Sequence, residues 1–124
     1  MKIVLSATGP GFEAAVDERF GRCPYSLYSD SETLEIEATD NPGEKASGGA
    51  GIVAAQAVAD KDVKAVLTGH IGPNAHEVLS KAGIKMFTDV TGKVREAVES
   101  FKSGNLKEST GPTVAGHFGK GPRV

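Results

Sequence analysis

Two short stretches hold most of the side chains that could do chemistry. Asp17 to Pro24 (DERFGRCP) gathers an acidic pair, two arginines, a turn glycine and the chain's single cysteine. Thr68 to Ala75 (TGHIGPNA) carries His70 in a glycine-flanked loop, and His76 follows it directly. Arginine forks bind anionic groups at two points, and a thiol among cations ionises more readily. Arg19, Arg22 and Cys23 therefore suit an anionic or metal-containing ligand. The competing use of the same stretch is a loop of surface ion pairs with Cys23 as a small core filler.

Spacing narrows the possible metal chemistry. Cys23, His70, His76 and His117 form none of the close pairs of a zinc site. One cysteine excludes an internal disulfide, a CxxC motif and a four-cysteine iron–sulfur site within one chain. Gly49-x-Gly51-x-x-Ala54 matches a loose dinucleotide fingerprint, but the preceding strand ends too early and no ribose-binding acid follows Thr68-Gly69-His70. Close helix–sheet packing is the better use of those glycines.

These residues need elements to position them. Lys2 to Thr8 reads as a buried central strand. Tyr25 to Asp30 and Leu34 to Thr39 form a hairpin, the second strand alternating apolar and polar residues as an outer strand does. Small apolar residues from Ile52 to Asp60 predict a helix pressed closely on a sheet. Ala65 to Gly69 is a short strand that delivers the chain to TGHIGPNA, and Pro73 opens the next helix. Ala75, Val78, Leu79 and Ala82 share one face of that helix. Strand Ile84 to Thr88 and helix Lys93 to Ser103 complete the order β-β-β-α-β-α-β-α.

That order implies a three-layer α/β/α fold around a mixed five-stranded sheet, in the order 3-2-1-4-5 with strand 2 antiparallel. The TGHIGPNA loop then lies at the carboxyl end of a parallel strand, facing a helix N-terminus whose free N–H groups favour an electron-rich ligand. Gly69, His70, Gly72 and Asn74 are its candidate binding residues. The alternative is that the glycines only shape the turn while the histidines are solvated. Ser109 to Val124 lacks periodicity, so the expected organisation is one domain over 1–104 and a flexible Gly/Pro-rich tail over 105–124.

Composition sets the outer bounds. A chain of 124 residues holds one core, and its net charge of −2 argues against a nucleic-acid partner. No apolar run approaches the ~20 residues of a membrane span, and the opening Met1-Lys2 shows no leader pattern. A cytoplasmic monomer is the expectation. The sheet order also resembles that of ribonuclease H-like folds, but the first strand lacks the acid that two-metal nuclease chemistry uses.

The same segments resemble the dinitrogenase iron–molybdenum cofactor biosynthesis family, the small proteins similar to NifX and to the C-terminal domain of NifB. The resemblance rests on the MKIVLSAT strand, Asp17 with Arg19-Phe20-Gly21-Arg22, Asn41-Pro42, Gly48-Gly49-Ala50-Gly51, TGHIGPNA and Gly83-Ile84. It covers about Met1 to Phe101. It implies a ribonuclease H-like fold without nuclease activity and a non-enzymatic role in binding or carrying iron–molybdenum cofactor or a related iron–sulfur cluster precursor. Its partners would be a cluster donor or acceptor protein, and Cys23 with one histidine, His70 or His76, could suffice as metal ligands for such a carrier. Asn41 joins the candidate cofactor-binding residues on this ground, while Arg19 stands where family members often carry a histidine. Two other functions fit the residues alone: a regulatory small-anion site built on TGHIGPNA with Arg19 and Arg22, and a ligand-free interaction adaptor.

Overall fold

A computed structural model describes residues 1–33 and 35–113; His117 and the part of the expected tail beyond 113 lie outside them. The elements run β1 (Lys2–Ala7), β2 (Tyr25–Asp30), β3 (Ile36–Asp40), α1 (Ala50–Ala59), β4 (Ala65–Leu67), α2 (Pro73–Lys81), β5 (Lys85–Phe87) and α3 (Val94–Lys102). They form one five-stranded sheet in the order β3-β2-β1-β4-β5. β2 is antiparallel to both its neighbours, while β1, β4 and β5 are parallel. The expected three-layer α/β/α architecture and strand order are therefore present.

Period-two alternation divides the central strands between two cores. Val4, Tyr28, Val66 and Met86 face α1 and α2, packing on Ala54, Ala55, Val58, Ala75 and Leu79. Ile3, Leu5, Leu27 and Leu67 face the other way, onto Val94, Ala97 and Val98 of α3. α1 starts two residues before the expected Ile52 because Gly49, at φ 64°, turns the chain into the helix in a conformation that L side chains rarely adopt. The long segment between β1 and β2 has no regular structure, yet main-chain bonds fix it. Thr8 N–H donates to Ala15, Val16 N–H to Gly92, and the N–H groups of Val94 and Arg95 to Ala14 and Phe12.

Composition places residues 105–113 in a flexible tail, but they are bonded to the core. Ser109 N–H donates to the Met86 carbonyl at 2.7 Å, and Glu108 bridges Phe87, so the segment covers the outer side of β5. Thr113 N–H then donates to the Ile71 carbonyl at 2.7 Å, while Ile71 N–H donates to Thr113 Oγ1 at 2.9 Å. Main-chain bonds of this kind leave no periodic signature, which is why composition misses them. Among the described residues no helix is long and apolar enough to cross a membrane.

The segment's contribution is measurable. Truncation after Gly104 removes these bonds and uncovers β5, and should lower unfolding free energy by at least about 2 kcal/mol, given ~1 kcal/mol net per hydrogen bond. Urea denaturation of the two chains checks this; unchanged stability would show the segment to be energetically idle.

Candidate functional site

β1 and β4 end side by side, and a buried hydroxyl pair joins their ends. Ser6 Oγ donates to the Asp17 carbonyl at 2.7 Å and lies 2.6 Å from Thr68 Oγ1. Asp17 N–H returns a bond to the Ser6 carbonyl. The chain beyond Asp17 is thereby laid against the loop that leaves β4. His70 N–H donates to the Glu18 carbonyl at 2.8 Å, and Phe20 N–H donates to the His70 carbonyl at 3.4 Å. Gly69 permits this approach: a Cβ there would fall 2.5 Å from Glu18 Cα.

The buried Asp17 carboxylate accepts the Arg19 backbone N–H at 2.9 Å and the guanidinium at 3.2 and 3.3 Å. Arg19 is thus partly neutralised, although its side chain is 58% exposed. Arg22 donates to the carbonyls of Glu44 and Ala46 at 3.1 and 2.8 Å, fastening the 41–49 loop. Asn41 fastens it from the other side. Its Nδ2 donates to the carbonyls of Gly21 at 3.0 Å and Cys23 at 2.9 Å, while Oδ1 accepts Gly43 N–H at 3.0 Å. Both ends of this buried amide are committed within the protein.

Cys23 is enclosed in the same turn. Its side chain is only 1% exposed, it donates to main-chain carbonyls, and it accepts Asn41 Nδ2 at 3.4 Å. Desolvation pushes the thiol up to about 11. The cationic setting expected from DERFGRCP does not activate it: burial raises the thiol most, the Asp17 carboxylate raises it further, and hydrogen bonds offset only part of this. A metal could reach Cys23 only if the 20–23 turn opened.

The remaining residues lie toward the helix starts. Gly51 in the first turn of α1 meets Ala75 in the first turn of α2; a Cβ on Gly51 would lie 3.3 Å from Ala75 Cβ. The two N-termini are therefore neighbours. Neither has a side-chain cap or an acid in its first turn. Gly48, Gly49 and Gly72 open onto free space, and Asn74 is exposed. His76 sits on α2 with Nδ1 3.4 Å from Ser80 Oγ.

His70 occupies a separate cavity of about 310 Å³ beside Glu18, Gly69, Asp89, Thr91 and Gly92. Its Nε2 lies 3.6 Å from Glu18 Oε1, while the buried Nδ1 has no partner among the described residues. Glu18 and Asp89 are not among the candidate residues that the sequence singles out. Asp89 holds a left-handed backbone at φ 62°, bonded through its N–H to the Gly69 carbonyl. Its position just past β5, matching that of Gly69-His70 past β4, was the available signal. Among the described residues no three His, Cys, Asp or Glu side chains converge as a metal ion requires.

The family model for dinitrogenase iron–molybdenum cofactor proteins matches residues 1–104. The chain belongs to this family. Among solved structures, the apo form of the orange protein from Desulfovibrio gigas is 40% identical, with a TM-score of 0.87 over 91% of this chain and 96% of that one. A Thermotoga NifB candidate solved by NMR is 30% identical, with a TM-score of 0.78 over 93% of this chain and 98% of its own. An uncharacterized protein of Methanocaldococcus jannaschii is 29% identical over 111 residues, covering 87% of this chain and 91% of that protein.

Two predictions follow from how this family member is packed. Gly43→Ala would place a Cβ 2.5 Å from the Ala50 carbonyl oxygen and 2.6 Å from that of Gly21. It should destabilise by about 1–3 kcal/mol, whereas Gly48→Ala, in open space, should stay within about 0.5 kcal/mol; thermal melts of both variants compare them. Cys23 supplies a pH test. An unfolded thiol ionises near ~8.5, so stability is fully present below that pH and is lost as pH rises toward the folded value of about 11. The loss should approach about 1.4 kcal/mol per pH unit and be missing in Cys23→Ala. Parallel pH–stability profiles would refute the burial argument.

Proposed function

We propose that this protein is a non-enzymatic carrier for iron–molybdenum cofactor or a related metal-cluster precursor. The cargo is held on the surface where the 17–22 segment, the 41–51 loop and the 69–76 loop meet. Family membership supports the class of cargo, and the likeness to the orange protein, known here in an apo form, supports a binding role. The observation that carries the reading is the pair of neighbouring, uncapped helix N-termini at α1 and α2. Their free N–H groups favour a negatively charged guest, and glycines leave the approach open.

A preassembled cluster brings its own bridging sulfides, so the protein need supply few ligands. His76 beside the helix starts and His70 from the cavity it shares with Glu18 offer imidazole nitrogen, Asn74 and the Gly72 turn offer hydrogen-bonding groups, and Arg19 offsets negative charge. Gly69 contributes by letting Glu18 approach, and Arg22 by fastening the neighbouring loop. Hydrogen-bonded holding also suits release to a donor or acceptor protein in the cytoplasm, with the carrier acting as a monomer. The second reading, a regulatory small-anion site, draws on the same helix starts.

Anaerobic protein supplied with iron, molybdate and sulfide, followed by metal analysis and visible absorbance, separates the two. Wild type and Cys23→Ala should both retain colour and stoichiometric metal, and His70→Ala should lose at least about tenfold in affinity, as a lost outer or inner metal partner does. Loss of colour in a folded Cys23→Ala would return the thiol to the ligand set. Colourless, metal-free protein that binds phosphate with the loop amides shifted would favour the anion reading and sink the carrier.

A further inference from the structure

The two edges of the sheet are finished differently. Residues 108 and 109 pair with β5, but among the described residues nothing pairs with the outer side of β3. Asp30 N–H donates to the Glu35 carbonyl at 3.2 Å and Asn41 N–H donates to the Pro24 carbonyl at 3.1 Å, at opposite ends of the β2–β3 ladder. Bonded positions alternate in an antiparallel pair. Residues 35, 37, 39 and 41 therefore turn their main-chain groups toward β2, and Ile36, Ala38 and Asp40 turn theirs outward.

The side chains sort by face as well. Glu35 and Glu37 share the face of Tyr28, where Lys2, Tyr28, Asp30, Glu35 and Glu37 border a cavity of about 280 Å³. Ile36 packs with the opposite core, and Ala38 stands beside it on that face. Glu35, Glu37, Ala38 and Asp40 are exposed, and β3 carries no basic residue.

We propose that β3 is a docking edge for an extended segment of a partner protein, added as a sixth strand, with basic side chains toward Glu35 and Glu37 and apolar ones toward Ile36 and Ala38. Main-chain bonds to Ile36, Ala38 and Asp40 supply affinity, and the alternating chemistry supplies selectivity. Charge complementarity selects a basic segment. A second copy of this chain, paired antiparallel about Ala38, would set the glutamates of the two copies diagonally against each other. β3 also runs straight into Asn41, so a strand seated here lies next to the loops of the candidate site. The proposal stands whether or not a cluster is the cargo.

The test is an NMR titration of the full chain with a seven-residue peptide alternating lysine and valine. Amide shifts should concentrate on Ile36, Ala38 and Asp40. Methylating every peptide nitrogen keeps the charge but removes the donors, and should weaken binding at least about tenfold, the equivalent of one to two net hydrogen bonds. Ala38→Pro removes only an outward N–H, a substitution edge strands tolerate, and should weaken binding similarly. Glu37→Lys leaves the ladder untouched and should also weaken it, which decides the matter if Ala38→Pro does not fold. Absence of binding, equal binding of the methylated peptide, or shifts scattered over other acidic surface would overturn the proposal. So would dimerisation of the free chain through β3, which would make a second copy the occupant.

Discussion

The candidate site depends on one close main-chain approach, that of Glu18 to Gly69 and His70. Its hydrogen bonds are main-chain ones. Two peptide groups bond across it, and the missing Cβ at Gly69 sets the distance. The approach joins the irregular segment after β1 to the loop after β4, two regions some fifty positions apart in the chain. Ser6, Thr68 and Asp17 support it from below with a fully buried hydroxyl pair. Asp17 then orders Arg19, and the neighbouring turn brings Phe20 and Cys23 into the protein. Loosening Gly69 would therefore disturb residues that touch neither Glu18 nor His70.

The scaffold was legible because burial is periodic. Ile3, Val4 and Leu5 form a run too apolar for anything but a central strand, and the alternation in β3 announces an edge. The helical spacing of Val94, Ala97 and Val98 identifies the inward face of α3. Pro73 opens α2 as its missing N–H predicts. The site was legible only by place. Carboxyl ends of parallel strands collect functional loops, so TGHIGPNA was found, yet its partner Glu18 has no distinguishing spacing.

Residue type says least where burial decides chemistry. Cys23 and Asn41 look like ligands in the sequence, but their environment is a desolvated turn in which each satisfies the other and the nearby carbonyls. Glycine was ambiguous in the same way. Gly21, Gly43 and Gly69 are glycines because main chain lies against them, whereas Gly48 and Gly72 face open space. A sequence prints these two kinds alike. The segment over 105–113 was hidden because backbone groups, which every residue has, do its bonding.

The sealing of Cys23 has a consequence for how the molecule withstands its surroundings. Oxidants and reactive sulfur species attack accessible thiols. Here the single thiol is shut behind Phe20 and Asn41, so the folded chain offers no free thiol for alkylation, persulfide formation or covalent cross-linking to a second molecule. Reaction at that sulfur becomes instead a record of opening: modified chains are those whose 20–23 turn has come undone.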